Sequence, residues 1–261
     1  RTRVALAQER WPEVINSSHA MAPAHAQPER GQDWYARGLE AQGLSGSQEI
    51  YTRLAQQANY FGFLAADRIQ QPYAICPHTP PANQEWMAIV GQSEMLQRAL
   101  ELKAVGFAYH ARTTWRKALA NQPTHVAVAA AAAARDLDWH YQSILTLAAA
   151  GAKQHYDWRF PRHYQQDIVH HSRFHGLEPA MVYGIIRAES ALRTDAVSGA
   201  GARGLMQLLP ATAKQVAKQE GVPYLGKKGL LTAQHNIQLG TAYFAQLTRR
   251  FSGSIMLAAG A

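Results

Sequence analysis

A glutamate closes an apolar helical stripe in the second half of the chain. Val182, Ile185, Ile186 and Glu189 fall at i, i+3, i+4 and i+7, so a helix places all four on one face. Pro179 suits the first position of that helix, where its missing N–H costs nothing. Three members of the stripe are apolar and the fourth is a carboxylate. An ionised carboxylate among apolar groups is unfavourable unless it is paired or neutralised. Desolvation favours the protonated form of a carboxyl, which is what a general acid requires at neutral pH. The same spacing also fits a structural carboxylate at the end of the stripe that reaches water, Arg187 or Arg193.

The residues after the acid add to the first reading. A short polar segment, RTDAVS, leads into GAGARGLMQLLPATA. The glycines give a tight backbone path close to the helix end. Gln207 supplies an amide in an otherwise apolar run, and Pro210 starts the next helix. A helix-borne acid, a glycine-rich turn and an amide-bearing segment can wall a site for a polar polymer.

Several pieces of this region carry a resemblance. Glu189-Ser190, Ala196-Val197-Ser198, the run 201–207 (GARGLMQ) and Pro210-Ala211-Thr212-Ala213 are similar to the signature of the soluble lytic transglycosylases of bacterial cell-wall metabolism. That family has a goose-lysozyme-like catalytic domain. Asn236-Ile237, Leu239-Gly240-Thr241, Tyr243 and Phe251 resemble its next helix. The pieces keep the family's order and cover about the last hundred residues.

The resemblance implies a peptidoglycan lytic transglycosylase. Such an enzyme cleaves the β-1,4 bond between N-acetylmuramic acid and N-acetylglucosamine and leaves 1,6-anhydromuramoyl ends. Glu189 then takes the place of the catalytic glutamate, first as acid and then as base. Ser198 and Gln207 match positions that line the saccharide groove. Met206 belongs to the same wall, Leu209 stands where the family often has methionine, and Tyr243 completes the candidate binding set. The implied partners are peptidoglycan glycan strands and other cell-wall enzymes, and the implied compartment is the periplasm. No cofactor or metal is expected. Two alternatives stay open. One is a lysozyme-type hydrolase, which needs a second carboxylate near the scissile bond, with Asp195 nearest in sequence. The other is a catalytically dead helical scaffold that binds cell wall or protein.

Length and composition bound these readings. At 261 residues the chain can bury a sizeable core and hold more than one domain. No apolar run is long enough to span a bilayer; the alanine-rich stretch 127–134 is too short. RTRVALAQER lacks the apolar core of a secretory signal and the chain lacks an initiator Met, so a trimmed piece is expected. It stops at LAAGA, before a tyrosine-asparagine-alanine-glycine motif with which the family continues, so a C-terminally incomplete domain is expected. Cys76 is the one cysteine, which excludes an internal disulfide. A formal charge of +8 favours polyanions. The basic residues are scattered, as in Lys227-Lys228 and Arg249-Arg250, with no basic stripe interleaved with aromatics, so no nucleic-acid partner is expected.

The elements that must position the site read as helices throughout. Residues 1–30 are expected to hold a short helix and then a linker, SSHAMAPAHAQPERG. From 33 to 156, helices are expected near 33–42, 48–58, 60–70, 84–89, 93–103, 107–120, 124–135 and 138–150, with Ser47 as an N-cap. Short helices and short turns suggest stacked pairs, as in an α-solenoid, and the resemblance implies the end of a superhelical array across 31–155. A lysozyme-like domain is expected over 156–261, with helices at 163–174, 179–189, 210–220 and 232–250. The fold class is all-α, with room for one small hairpin in the second domain.

Three features are set aside. Gly199, Gly201 and Gly204 spell GxGxxG, but no strand precedes them and Pro210 interrupts the helix that should open after the last glycine. His171 and His175 have zinc-like spacing beside His170, but no third ligand is evident, so surface histidines are expected. Trp86, Trp115 and Trp139 lie among apolar residues and are expected in the core.

Overall fold

The computed structural model describes residues 2–19, 28–75, 83–152 and 154–261. The chain forms two compact units, residues 1–79 with 153–156, and residues 80–152 with 157–261. Among the described residues every regular element is a helix, as the periodicity predicts. None of these helices is long and apolar enough to cross a membrane.

In the first unit α1 (Thr2–Ala7), α2 (Trp11–His19), α3 (Pro28–Ala41), α4 (Ser47–Ala55) and α5 (Tyr60–Arg68) pack largely on their neighbours in sequence. Tyr51, Leu54 and Ala55 of α4 meet Ala65 and Ala66 of α5 in one small core. Two details differ from what the sequence predicts. The expected linker contributes Ser17, Ser18 and His19 to α2, and α3 already begins at Pro28, because proline is well suited to a first helical turn. Residues 20–27 of that segment and Pro77 to Pro81 lie outside the described residues, as does Cys76. Ser47 is the first residue of α4 and not its cap. Gly46 takes the cap position at φ 100, a conformation that needs no Cβ.

The second unit holds α6 (Asn83–Gly91), α7 (Glu94–Ala104), α8 (Ala108–Ala118), α9 (Thr124–Asp136) and α10 (His140–Ala149) around one core. Residues 129–134 of α9 are all alanine and all buried, so α9 is packed from every side and its neighbours approach closely. The three tryptophans are in the core as expected. Trp115 is fully buried and donates through Nε1 to Thr146 Oγ1 at 2.9 Å, with Trp139 edge-on at 5.3 Å.

The remaining helices are α11 (Tyr156–Arg159), α12 (Gln165–Phe174), α13 (Pro179–Glu189), α14 (Pro210–Glu220), α15 (Gly226–Gly229), α16 (Ala233–Arg250) and α17 (Ile255–Ala259). The loop expected after α14 therefore contains the short α15. Helix α16 is the axis of this part, with α12, α14 and α17 packed against it. Thr232 stands at its N-cap position, but the Thr232 hydroxyl donates backward to the Gly229 carbonyl at 2.7 Å and caps no α16 amide. The small hairpin reduces to two isolated bridges, Val197 with Arg203 and Arg203 with Leu208.

Candidate active site

Helix α13 presents the acid. Val182 and Ile186 are fully buried and join Leu205, Met206, Ile237 and Phe244 in one core. Glu189 is the last residue of the helix and is exposed. The apolar stripe therefore delivers the carboxylate to the surface, and the chain does not bury it as the stripe alone suggests. The helix stops because Ala191 and Leu192 take left-handed φ values of 49° and 71°. Ser190 closes it: its N–H donates to the Ile186 carbonyl at 3.1 Å and its hydroxyl to the same oxygen at 3.2 Å. Neither candidate arginine holds Glu189. Arg187 Nε donates to the Arg159 carbonyl at 2.9 Å, and Arg193 lies 3.5 Å from Asp195 and over the Tyr141 ring.

The glycine-rich turn folds back on itself. Arg203 is its centre, bridged to Val197 on one side and Leu208 on the other. Ser198 is exposed, and its Oγ accepts from Ala202 N–H at 3.0 Å. Of the three glycines in GxGxxG, Gly201 needs its positive φ of 85°, and Gly204 is the one that is also sterically closed. It has φ 75°, and a Cβ there would lie 2.1 Å from the Leu230 carbonyl oxygen. That close approach is a packing requirement of the turn on α16 and owes nothing to a phosphate.

Asn236 of α16 is what holds the turn. It is fully buried; its Nδ2 donates to the Arg203 and Leu230 carbonyls at 2.9 Å each, and its Oδ1 accepts from Met206 N–H at 2.7 Å. One turn further on, Gly240 leaves room for Met206, whose Sδ would lie 2.4 Å from a Cβ at that position. The sequence alone places Asn236 and Gly240 on a helix and assigns them no role. An amide and a glycine on the buried face of a long helix are the available signal.

These elements enclose a cleft of about 240 Å³ whose lining includes Glu189, Met206, Gln207, Leu209 and Tyr243. Five of the six candidate residues are thus brought together, and Ser198 is not in the lining. Among the described residues that line the cleft, Glu189 carries the acidic side chain. The Gln207 amide is partly committed: Nε2 donates to the Gly204 carbonyl at 2.9 Å and to that of Ala196 at 3.4 Å. Its carbonyl oxygen is the part left to face a ligand. Gln207→Ala is expected to remove both hydrogen bonds, leaving each carbonyl to its one backbone N–H donor, and to cost about 1–2 kcal/mol. Calorimetry would read this as a melting temperature lower by roughly 3–6 °C; an unchanged value would mean the amide does not support the turn.

Residues 168–261 match the transglycosylase SLT domain and residues 89–154 match the soluble lytic murein transglycosylase L domain. The chain belongs to the soluble lytic transglycosylase family. It is 27% identical to the soluble lytic murein transglycosylase of Salmonella typhimurium over 226 residues, 86% of this chain and 34% of that protein. The structure of an inactive mutant of the lytic transglycosylase Slt from Pseudomonas aeruginosa superposes with a TM-score of 0.92 at 32% identity, covering 99% of this chain and 42% of that one. The 70-kDa soluble lytic transglycosylase of Escherichia coli gives 0.84 at 25% identity with the same coverage. The chain thus spans about two fifths or less of the length of these relatives.

The other acids near α13 stand apart from the cleft. Asp195 is exposed, lies 3.3 Å from Arg112 and 3.5 Å from Arg193, and is not in the lining. Glu178 sits at the far end of α13, ~16 Å away at 1.5 Å per residue. A larger cavity of about 830 Å³ opens between α8, α9 and α10, lined by Arg112, Arg116 and Arg193 but by no acid. Of the clustered histidines only His170 is exposed. His175 is largely buried 3.9 Å from Glu220, which departs from the surface expectation.

Proposed function

We propose that the chain is the catalytic end of a peptidoglycan lytic transglycosylase that acts in the periplasm on the MurNAc-β-1,4-GlcNAc bond. In this reading residues 156–261 form the lysozyme-like domain, and 31–155 form the end of the helical array that leads into it. Glu189 protonates the glycosidic oxygen as the C1–O bond breaks. The muramoyl C6 hydroxyl then closes onto C1 and gives its proton to the Glu189 carboxylate, which regenerates the acid. No water is consumed, so atoms and charge balance within the glycan. Gln207, Met206, Leu209 and Tyr243 bind and orient the strand, and the bound strand supplies the cover that an exposed Glu189 lacks.

The observation that supports this reading is a single acidic side chain in the cleft lining, with Asp195 held by two arginines outside it. A glycosidase that captures water uses a pair of carboxylates flanking the bond. With one carboxylate, the sugar's own hydroxyl is the simplest nucleophile, since it is already positioned and no water has to be ordered. The relative from Pseudomonas aeruginosa is described as inactive when a glutamate is replaced by glutamine, which agrees with a mechanism that rests on one glutamate.

The product decides it. A sacculus digest by the protein, read by mass spectrometry, is expected to be dominated by 1,6-anhydromuramoyl ends, each lighter by one water than a reducing end. A digest dominated by reducing muramic acid ends would reject the transglycosylase chemistry in favour of hydrolysis, and no release from sacculi would leave a binding scaffold.

A further inference from the structure

Away from the cleft, three side chains with metal-ligating atoms converge where α9 turns into α10 and the chain approaches α12. Asp138 lies in the turn at φ 54°, His140 is the first residue of α10, and His163 precedes Tyr164, which has φ 56°. One ligating atom from each lies within 4.8 Å of the others. His140 and His163 face each other with ring centroids 4.4 Å apart, tilted by 54°. We propose that Asp138, His140 and His163 form a divalent transition-metal site of the zinc class.

Two observations favour a metal over an ordinary polar contact. His140 Nε2 is buried and makes no hydrogen bond. Its nearest acidic oxygen, Asp138 Oδ1, is 3.6 Å away, beyond the 2.7–2.9 Å of a charge-assisted hydrogen bond. It is instead close to the ~3.3–3.5 Å that separates two donors on a tetrahedral zinc with bonds of ~2.0–2.1 Å. The donor set therefore needs a contraction of about 1.5 Å at most. The Asp138 side chain is 84% exposed and so has room to move toward the two imidazoles. Two imidazoles and one carboxylate suit zinc, nickel or copper and are a poor set for magnesium or calcium. Water takes the fourth position.

The neighbouring cations do not occupy the site. Arg135 is held by Asp136 at 2.6 Å and lies over the Trp158 ring, and Lys103 donates to the Leu137 carbonyl at 3.0 Å. Asp138 and His140 lie within the L-domain match, which ends at 154, and His163 lies in the gap before the SLT match, which starts at 168. A metal would clip that junction shut from within one unit and stabilise the folded state that brings the three donors together.

The test uses the chain without an affinity tag, stripped with a chelator and melted in the calorimeter with added zinc chloride. At about a hundredfold excess over the dissociation constant, zinc is expected to raise the melting temperature by roughly 5–10 °C. The rise should vanish in Asp138→Asn and in His163→Gln and persist in His171→Gln. If His163→Gln folds poorly, Asp138→Asn carries the test, since its side chain is exposed and makes no buried contact. Cobalt chloride should give the visible absorption of a four-coordinate ion in the wild type and not in Asp138→Asn. No zinc-induced rise in the wild type, or a rise that survives both Asp138→Asn and His163→Gln, overturns the site.

Discussion

Glu189→Gln is expected to lower the rate of glycan release from sacculi by at least ~10²-fold, the lower scale for losing a general acid and equivalent to ~2.7 kcal/mol of transition-state stabilisation. Glutamine keeps the shape and the hydrogen-bonding reach of the side chain but has no proton to give the departing oxygen and no carboxylate to accept one later. A carboxylate that serves twice cannot be half replaced, so both steps fail together. The fold should be untouched, because Glu189 is exposed at the end of α13 and the Val182 and Ile186 contacts lie elsewhere on the helix. Melting temperature within about a degree of wild type, together with collapsed turnover, is the expected pair. Near-normal turnover would remove Glu189 from the chemistry. Turnover and stability falling together would make it a structural residue.

The second large effect is on stability. Asn236→Ala is expected to cost about 3 kcal/mol, because it strands Met206 N–H and the Leu230 carbonyl in the interior, each at about 1–3 kcal/mol, and leaves the Arg203 carbonyl with Leu208 N–H alone. For a unit of this size that is a fall in melting temperature of roughly 6–12 °C, and it approaches the whole margin of a typical domain, about 5–15 kcal/mol. Asn236→Asp separates the parts of the effect. It can still accept from Met206 N–H but faces two carbonyl oxygens with no donor, so it should be no better than alanine at neutral pH. A melting temperature within about two degrees of wild type for both variants would show that the turn is held by other contacts.

The sequence is most legible where the controlling forces are local. Helices α4 to α10 can be placed because glycine, proline and asparagine mark their ends and apolar spacing marks their faces. Glu189 stands out for the same reason, as the last place on a 3.6-residue stripe. What escapes depends on atoms far apart in the chain. The stripe cannot tell that its last member opens to solvent, since that is decided by what α16 and the turn leave uncovered. In the sequence the Gln207 amide suits either a ligand or the backbone of its own turn; in the fold the residue has a positive φ of 47° and its Nε2 donates to the Gly204 carbonyl. Asn236 reaches Met206 across 30 positions. His163 meets His140 across 23 positions, whereas the neighbouring histidine run draws notice through its spacing alone.

The six alanines at the heart of α9 have a consequence for how this chain can change over generations. A run of alanine reads as interchangeable filler, the sort of composition expected to drift freely. Enclosed as it is, each position has neither a methyl to give up without opening a void nor space to accept one without pushing a neighbouring helix off its rotamers. Drift there has to be concerted, with a gain on α9 matched by a loss on the facing helix. The plainest stretch of the sequence is therefore among the least free to vary.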